Sequence, residues 1–128
     1  MKVNVLIDSS GWIEYFAEGE LAPKYAKYIE AANSSEYATP AIVLYEVYKR
    51  IKSVKGEDAA LKAVAHIIDR TTVISIDKKI ALNAAEISLK TKLSMADAII
   101  KAVAEDKGAK LVTGDGHFKD FRDVVFIG

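Results

Sequence analysis

Four acidic residues occupy positions from which side chains do chemistry. Asp8 ends the apolar run Val3–Ile7, and Asp115 follows the run Ala109–Thr113 across one glycine. Each run predicts a strand. In an open parallel sheet, ligands bind beyond the carboxyl ends of the strands, so neighbouring strands would aim both carboxylates into one crevice. Asp97 falls in the first turn of the helix that feeds the Asp115 strand, which starts it at the same rim. Glu46 lies about two turns into a helix after Thr39-Pro40, with Ile42 and Val43 at i−4 and i−3, so it emerges from a partly apolar stripe. Like charges so gathered repel by roughly 4 kcal/mol per pair at ~4 Å and an effective dielectric of about 20. A divalent cation offsets that cost. An oxygen donor set without Cys or His suits Mg²⁺, with Mn²⁺ as a substitute. Beside a phosphodiester, such an ion activates water and stabilises the leaving oxygen.

Each acid also has an ordinary use. Asp8 is placed to cap a short helix starting near Ser10. Asp97 at a helix N-terminus is favourable to the macrodipole. Glu46 and Arg50 have the spacing of an i, i+4 ion pair. Asp115 between two glycines suits a turn. The expected convergence of all four is the stronger argument, because unrelated surface acids scatter. Ser9 and Thr113 flank the strand-end aspartates, and their hydroxyls could orient a carboxylate or bound water. His117 reads as an exposed loop residue within reach of substrate, and His66 as a partly buried structural histidine.

These residues need a scaffold, and the composition provides for one. The chain has 128 residues, the size of a single domain spanning 1–128. Eighteen Lys+Arg balance 18 Asp+Glu, which excludes a strongly basic surface but not a local patch; Lys49, Arg50, Lys52, Lys55, Lys90 and Lys92 are candidates for one. The 51% apolar and 28% charged content excludes intrinsic disorder. With no cysteine, thiolate metal sites, disulfides and Cys nucleophiles are excluded. No apolar run approaches the roughly 18 residues of a membrane span, and the N-terminus MKVNVLID lacks the pattern of a signal peptide, so a cytoplasmic protein is expected.

Strand patterns at Val3–Ile7, Glu36–Ala38, Thr72–Ile76, Ala109–Thr113 and Val124–Ile127 alternate with helical ones. Ser9-Ser10-Gly11 reads as a turn before a short helix over Trp12–Ala17, and Pro23 opens the next. Thr39 and Pro40 read as N-cap and first residue of a helix burying Ala41, Leu44, Tyr45, Tyr48 and Ile51. Asp58–Asp69 would bury Leu61, Val64, Ala65 and Ile68. After a helix over residues 78–90, Ser94 and Asp97 resemble a capping box, with Met95, Ala98, Ile99, Ala102 and Val103 on one face and Gly108 as the stop. The alternation predicts an α/β fold: a mostly parallel sheet of four to five strands flanked by helices. Two helices between the second and third strands exceed one crossover and predict a helical flap.

The order Asp8, Glu46, Asp97, Asp115 resembles the PIN-domain nucleases, particularly the single-domain VapC-type toxins of toxin–antitoxin pairs. The matching pieces are VLIDSSGWIEYF, TPAIVLYEVYK, LSMADAIIKAVA and LVTGDGHFKDF, and they cover essentially the whole chain. The resemblance implies a single PIN-like domain and a Mg²⁺-dependent endoribonuclease. It also implies inhibition by a cognate antitoxin, and a homodimer. The family's acids carry over onto Asp8, Glu46, Asp97 and Asp115, and its small hydroxyl position onto Thr113. In the corresponding mechanism Asp8, Asp97 and Asp115 hold the metal and Glu46 positions or deprotonates the attacking water. Gly114 and Gly116 are a departure that leaves the pose of Asp115 open. An antitoxin would lie across the flap near Trp12, Phe16, Tyr25 and Tyr45, and a dimer would use helix faces from the middle of the chain.

Three other readings share features with this one. A phosphotransfer receiver needs an acidic pair after the first strand and a Lys after the last core strand, and neither is present. A haloacid-dehalogenase-type phosphatase needs an acid two residues after Asp8, where Ser10 stands. A catalytically silent PIN-like binding or scaffold module is expected when the acids are lost, and here all four are present.

Overall fold

The computed structural model describes residues 4–128 and has five strands and six helices. In chain order these are β1 (Val5–Ile7), α1 (Ser9–Phe16), α2 (Ala22–Ile29), β2 (Tyr37–Pro40), α3 (Ala41–Lys55), α4 (Glu57–Arg70), β3 (Thr72–Ile74), α5 (Lys78–Thr91), α6 (Met95–Lys107), β4 (Lys110–Thr113) and β5 (Val124–Phe126). The expected residue Val3 of the first strand lies outside the described residues.

The strands form one sheet in the order β3-β2-β1-β4-β5, with every pair parallel. The sequence of β1 explains its central place. Leu6 and Ile7 are buried, as are Leu111 and Val112 of its neighbour β4, because a parallel strand covered on both faces needs apolar residues at every position. The chain runs outward from β1 to β2 and β3, then returns to start β4 on the other side of β1. That reversal opens a crevice at the carboxyl ends of β1 and β4.

The strand ends agree with the sequence pattern to within two residues, but several local assignments are corrected. Helix α1 begins at Ser9, so Ser9-Ser10-Gly11 is its first turn rather than a separate one; the Asp8 carboxylate accepts from Ser9 N and starts the helix there. Thr39 and Pro40 belong to β2, and Pro40 is the residue before the helix. The Thr39 hydroxyl is fully buried, 2.7 Å from Thr71 Oγ1. Thr71 donates its own proton to Ile67 O, so Thr39 donates to Thr71 and ties β2 to the end of α4. Pairing with β1 runs only to Ala38, so the missing N–H of Pro40 costs that ladder nothing.

Helices α3 and α4 form the expected two-helix flap and pack extensively on each other. Their buried faces differ from those expected. Helix α3 buries Val43, Val47 and Ile51 and leaves Tyr45 in water; α4 buries Ala60, Ala63 and Ile67 and leaves Leu61 and Ile68 exposed. Two of the three buried side chains of α4 are alanines, small enough for a neighbouring helix to approach closely. Helix α6 buries Ala98, Ala102 and Val103 as expected, and also Ile100, Lys101 and Ala104, while Met95 points outward. No helix of the described residues is long and apolar enough to cross a membrane.

Candidate active site

Asp8 leaves the end of β1 and is 2% exposed. Its carboxylate is held from four sides. Oδ1 accepts from Ser9 N at 2.8 Å and, weakly, from the Ser9 hydroxyl at 3.5 Å; Oδ2 accepts from Thr113 Oγ1 at 2.7 Å and Ser10 Oγ at 3.1 Å. Burial pushes the Asp8 pKa up. The three hydrogen-bonding neighbours oppose that, and the charge of Asp115 adds to it.

Thr113 links the two strand ends. Its hydroxyl donates to Asp8 and accepts from Asp115 N at 2.9 Å. Asp115 in turn accepts from His117 N at 2.8 Å and so caps the 3-10 turn over Gly116–Phe118. Gly114 makes this corner possible, because a Cβ there would lie 2.5 Å from the hydroxyl of buried Tyr25 and 3.1 Å from Ile127 O.

Asp97 enters from the first turn of α6. Ser94 Oγ accepts from Asp97 N at 3.3 Å, which is the N-cap half of the expected capping box. The Asp97 carboxylate faces the other acids. Burial pushes its pKa up to about 6, reinforced by the negative charges of Asp115, Asp8 and Glu46. Glu46, from α3, is raised by burial as well; the Ser9 hydroxyl lowers it, and Asp8 and Asp115 raise it further. The four acids, scattered along the chain, therefore meet within electrostatic reach at the crevice between β1 and β4.

Among the described residues, no ion pair joins any of the four to a Lys or Arg, and the expected Glu46–Arg50 pair does not form. Glu46 Oε1 is buried with no hydrogen-bond partner. A site that gathers negative charge, supplies no fixed cation and leaves a buried carboxylate oxygen unsatisfied fits a divalent cation.

Two residues were undervalued by sequence reasoning. Ser10, not Ser9, gives Asp8 the better side-chain hydroxyl contact, and its Oγ also accepts from Gly114 N at 3.2 Å. Its i+2 spacing from an aspartate, the pattern of a serine in a tight turn, was the available signal. His117 is 78% exposed, as a loop residue should be, yet Nδ1 lies 3.0 Å from Asp115 Oδ1 and 3.7 Å from Asp97 Oδ2. Donor atoms of Asp97, Asp115 and His117 all lie within 4.8 Å of one another, so the rim is not bounded by oxygen alone. Asp8 and Glu46 fall outside that closest group.

The PIN domain family model matches residues 5–124. No curated protein matches the sequence. Among solved structures, a chain of a toxin–antitoxin complex from Klebsiella pneumoniae is similar at 25% identity, with 98% of each chain covered and a TM-score of 0.78. VapC20 of Mycobacterium tuberculosis, a toxin that cleaves the sarcin–ricin loop, is similar at 23% identity, covering 94% of this chain and 98% of its own, with a TM-score of 0.74. The DNA-bound VapBC of Salmonella typhimurium is similar at 18% identity, with 97% and 96% covered and a TM-score of 0.74.

Proposed function

The chain belongs to the PIN domain family, and from that premise we propose that it is a Mg²⁺-dependent endoribonuclease, the toxin of a type II toxin–antitoxin pair. The observation that carries this reading is the meeting of Asp8, Glu46, Asp97 and Asp115 with no lysine or arginine among the described residues bridged to them. The likeness to toxins of toxin–antitoxin complexes supports the biological half of it.

Asp8, Asp97 and Asp115 would hold the ion, Mg²⁺ or Mn²⁺ in its place. Bound there, it supplies charge to the phosphate and lowers the pKa of water. The chain's own residues do the rest. Ser9 N, Ser10 and Thr113 fix the orientation of Asp8. Glu46, with its unpartnered Oε1, orients the attacking water and takes its proton as the oxygen bonds to phosphorus. The P–O3′ bond breaks and the leaving oxygen takes a proton from solvent water, giving a 5′-phosphate and a 3′-hydroxyl. Ser10 stands where a phosphatase of the haloacid-dehalogenase type would carry its second acid, and nothing at the site favours that alternative.

The proposed partners are RNA, a cognate antitoxin and a second copy of the chain, in the cytoplasm. The place expected for the antitoxin needs correction, because Trp12 and Tyr25 are sealed in the core. An open groove of about 570 Å³ instead runs along Tyr15, Phe16, Ala22 and Pro23. For the dimer, α5 and α6 leave Leu82, Leu89 and Met95 exposed. The decisive experiment assays Glu46→Gln and Asp97→Asn on RNA with Mg²⁺. Both should lose cleavage, and wild-type rates in both would overturn the reading.

A further inference from the structure

A second groove, of about 410 Å³, opens directly off the carboxylates. Ser9 and Glu46 line it and also belong to the acid cluster, so whatever occupies the groove leads into the site. Tyr45, Lys49 and Arg50 line it as well. Tyr45 is 59% exposed, although its helix has a buried face available. Lys49 Nζ lies 5.6 Å from the ring centroid and 3.4 Å from the ring hydroxyl.

The charges on this helix divide in an informative way. Lys52 and Lys55 are bridged to Glu57 and Glu18. Lys49 and Arg50, the two that reach the groove, have no carboxylate partner among the described residues, although Glu46 is only four residues from Arg50. The groove thus offers a flat apolar ring, two cations without a bridging carboxylate and, through Glu46, the edge of the acid cluster. A ligand that complements all three has a planar face and an anionic group a few ångströms away. An acidic peptide supplies the charge without the plane, and a duplex hides its planes in the stack. Single-stranded nucleic acid supplies both.

Resting on the nuclease reading, we propose that this groove seats the nucleotide adjoining the bond that is cut, its base on Tyr45 and its phosphate between Lys49 and Arg50. Tyr45 is then a substrate-binding residue, and the exposure of its ring is functional.

The test uses the full chain carrying Asp97→Asn, so that RNA is bound without being cut, and a short single-stranded RNA containing 2-aminopurine. Binding should quench the fluorophore by stacking. Tyr45→Phe should keep the quench. Tyr45→Ala should lose most of it and weaken binding about 5- to 150-fold, the range of one base–aromatic stack. Replacing Lys49 and Arg50 together with alanine should weaken binding and flatten the slope of log affinity against log salt by about 0.7, the share of the one single-strand phosphate they hold. Undiminished quench and affinity in Tyr45→Ala, an unchanged salt slope, or no RNA binding at all would each overturn the assignment. Capture of poly-L-glutamate in place of RNA, through the same two cations, overturns it in favour of an acidic protein segment. Tyr45-dependent quenching combined with no cleavage by the chain with Asp97 intact and Mg²⁺ present would keep the groove and sink the nuclease reading, so the two fail separately.

Discussion

Replacing Asp97 by asparagine should destroy activity and make the metal-free protein more stable. Burial and three neighbouring carboxylates hold the Asp97 pKa at about 6 against an ordinary 3.8. At about 1.4 kcal/mol per pH unit, that difference is roughly 3 kcal/mol carried by the ionised folded state. The folded chain keeps the Asp97 proton more tightly than the unfolded chain does. Its contribution to stability is therefore fully present below about pH 4 and lost as the pH rises to about 6 and beyond. Asparagine removes the charge, and gives up about 0.5–1 kcal/mol of attraction to the N-terminus of α6. The net gain near neutrality is about 2 kcal/mol, or about 8 °C in Tm for a domain of this size. Thermal melts in EDTA should show that gap at pH 7.5 and less than half of it at pH 5, where folded Asp97 is mostly protonated but the unfolded chain is not yet. An Asp97→Asn protein no more stable than wild type at pH 7.5, or an equal gap at both pH values, would refute the electrostatic reasoning.

Saturating Mg²⁺ or Mn²⁺ should reverse that order: at a hundred times its Kd, an ion adds about 2.7 kcal/mol to the wild type, and isothermal titration should find that Asp97→Asn and Asp115→Asn lose most of the binding. Thr113→Val should cost about 1–3 kcal/mol in urea unfolding, because it strips a 2.7 Å hydrogen bond from buried Asp8, whereas Thr113→Ser should lose far less. Gly114→Ala should destabilise by about 1–3 kcal/mol, since its methyl would press on the hydroxyl of buried Tyr25 and on Ile127 O; an unchanged urea midpoint would show that the corner has room to spare.

Much of this was legible because period and chemistry agreed. The runs ending at Asp8 and before Asp115 are short, apolar and β-branched, and a helix with a Ser94 cap delivers Asp97 to the edge where such strands finish. What escaped was decided by close packing. Helical spacing marks Leu61 and Ile68 as core as readily as Ala60, Ala63 and Ile67, and only the approach of α3 selects the smaller set. Thr39-Pro40 carries a strong helix-start signal, yet β2 continues through both residues because β3 pairs with it to Pro40. Ser10 and His117 each have a local aspartate partner, but their second contacts, with Gly114 N and with Asp97, join distant parts of the chain, and local pattern does not report those.

The register of two strands accounts for the geometry of the whole crevice. Ile7 pairs with Val112 in the parallel β1–β4 ladder, so the next residues, Asp8 and Thr113, come to lie side by side. Their 2.7 Å hydrogen bond continues that register into side chains, and the Thr113 hydroxyl passes it on to Asp115 through the backbone N–H. Two of the four acids are thus fixed by the pairing of two adjacent strands. The other two arrive on helices, α3 and α6, that start from that end of the sheet, and they carry the orphaned oxygen of Glu46 and the raised pKa of Asp97. The division has a consequence. A one-residue slip in β1–β4 pairing would turn Asp8 to the opposite face and dismantle the site at once. A small shift of α3 or α6 would instead change only the spacing of Glu46 or Asp97 from the fixed pair. If a partner controls the proposed nuclease, shifting a helix would suffice where the sheet would have to re-pair, and the α3 groove beside Glu46 is where such a partner would compete with the proposed substrate.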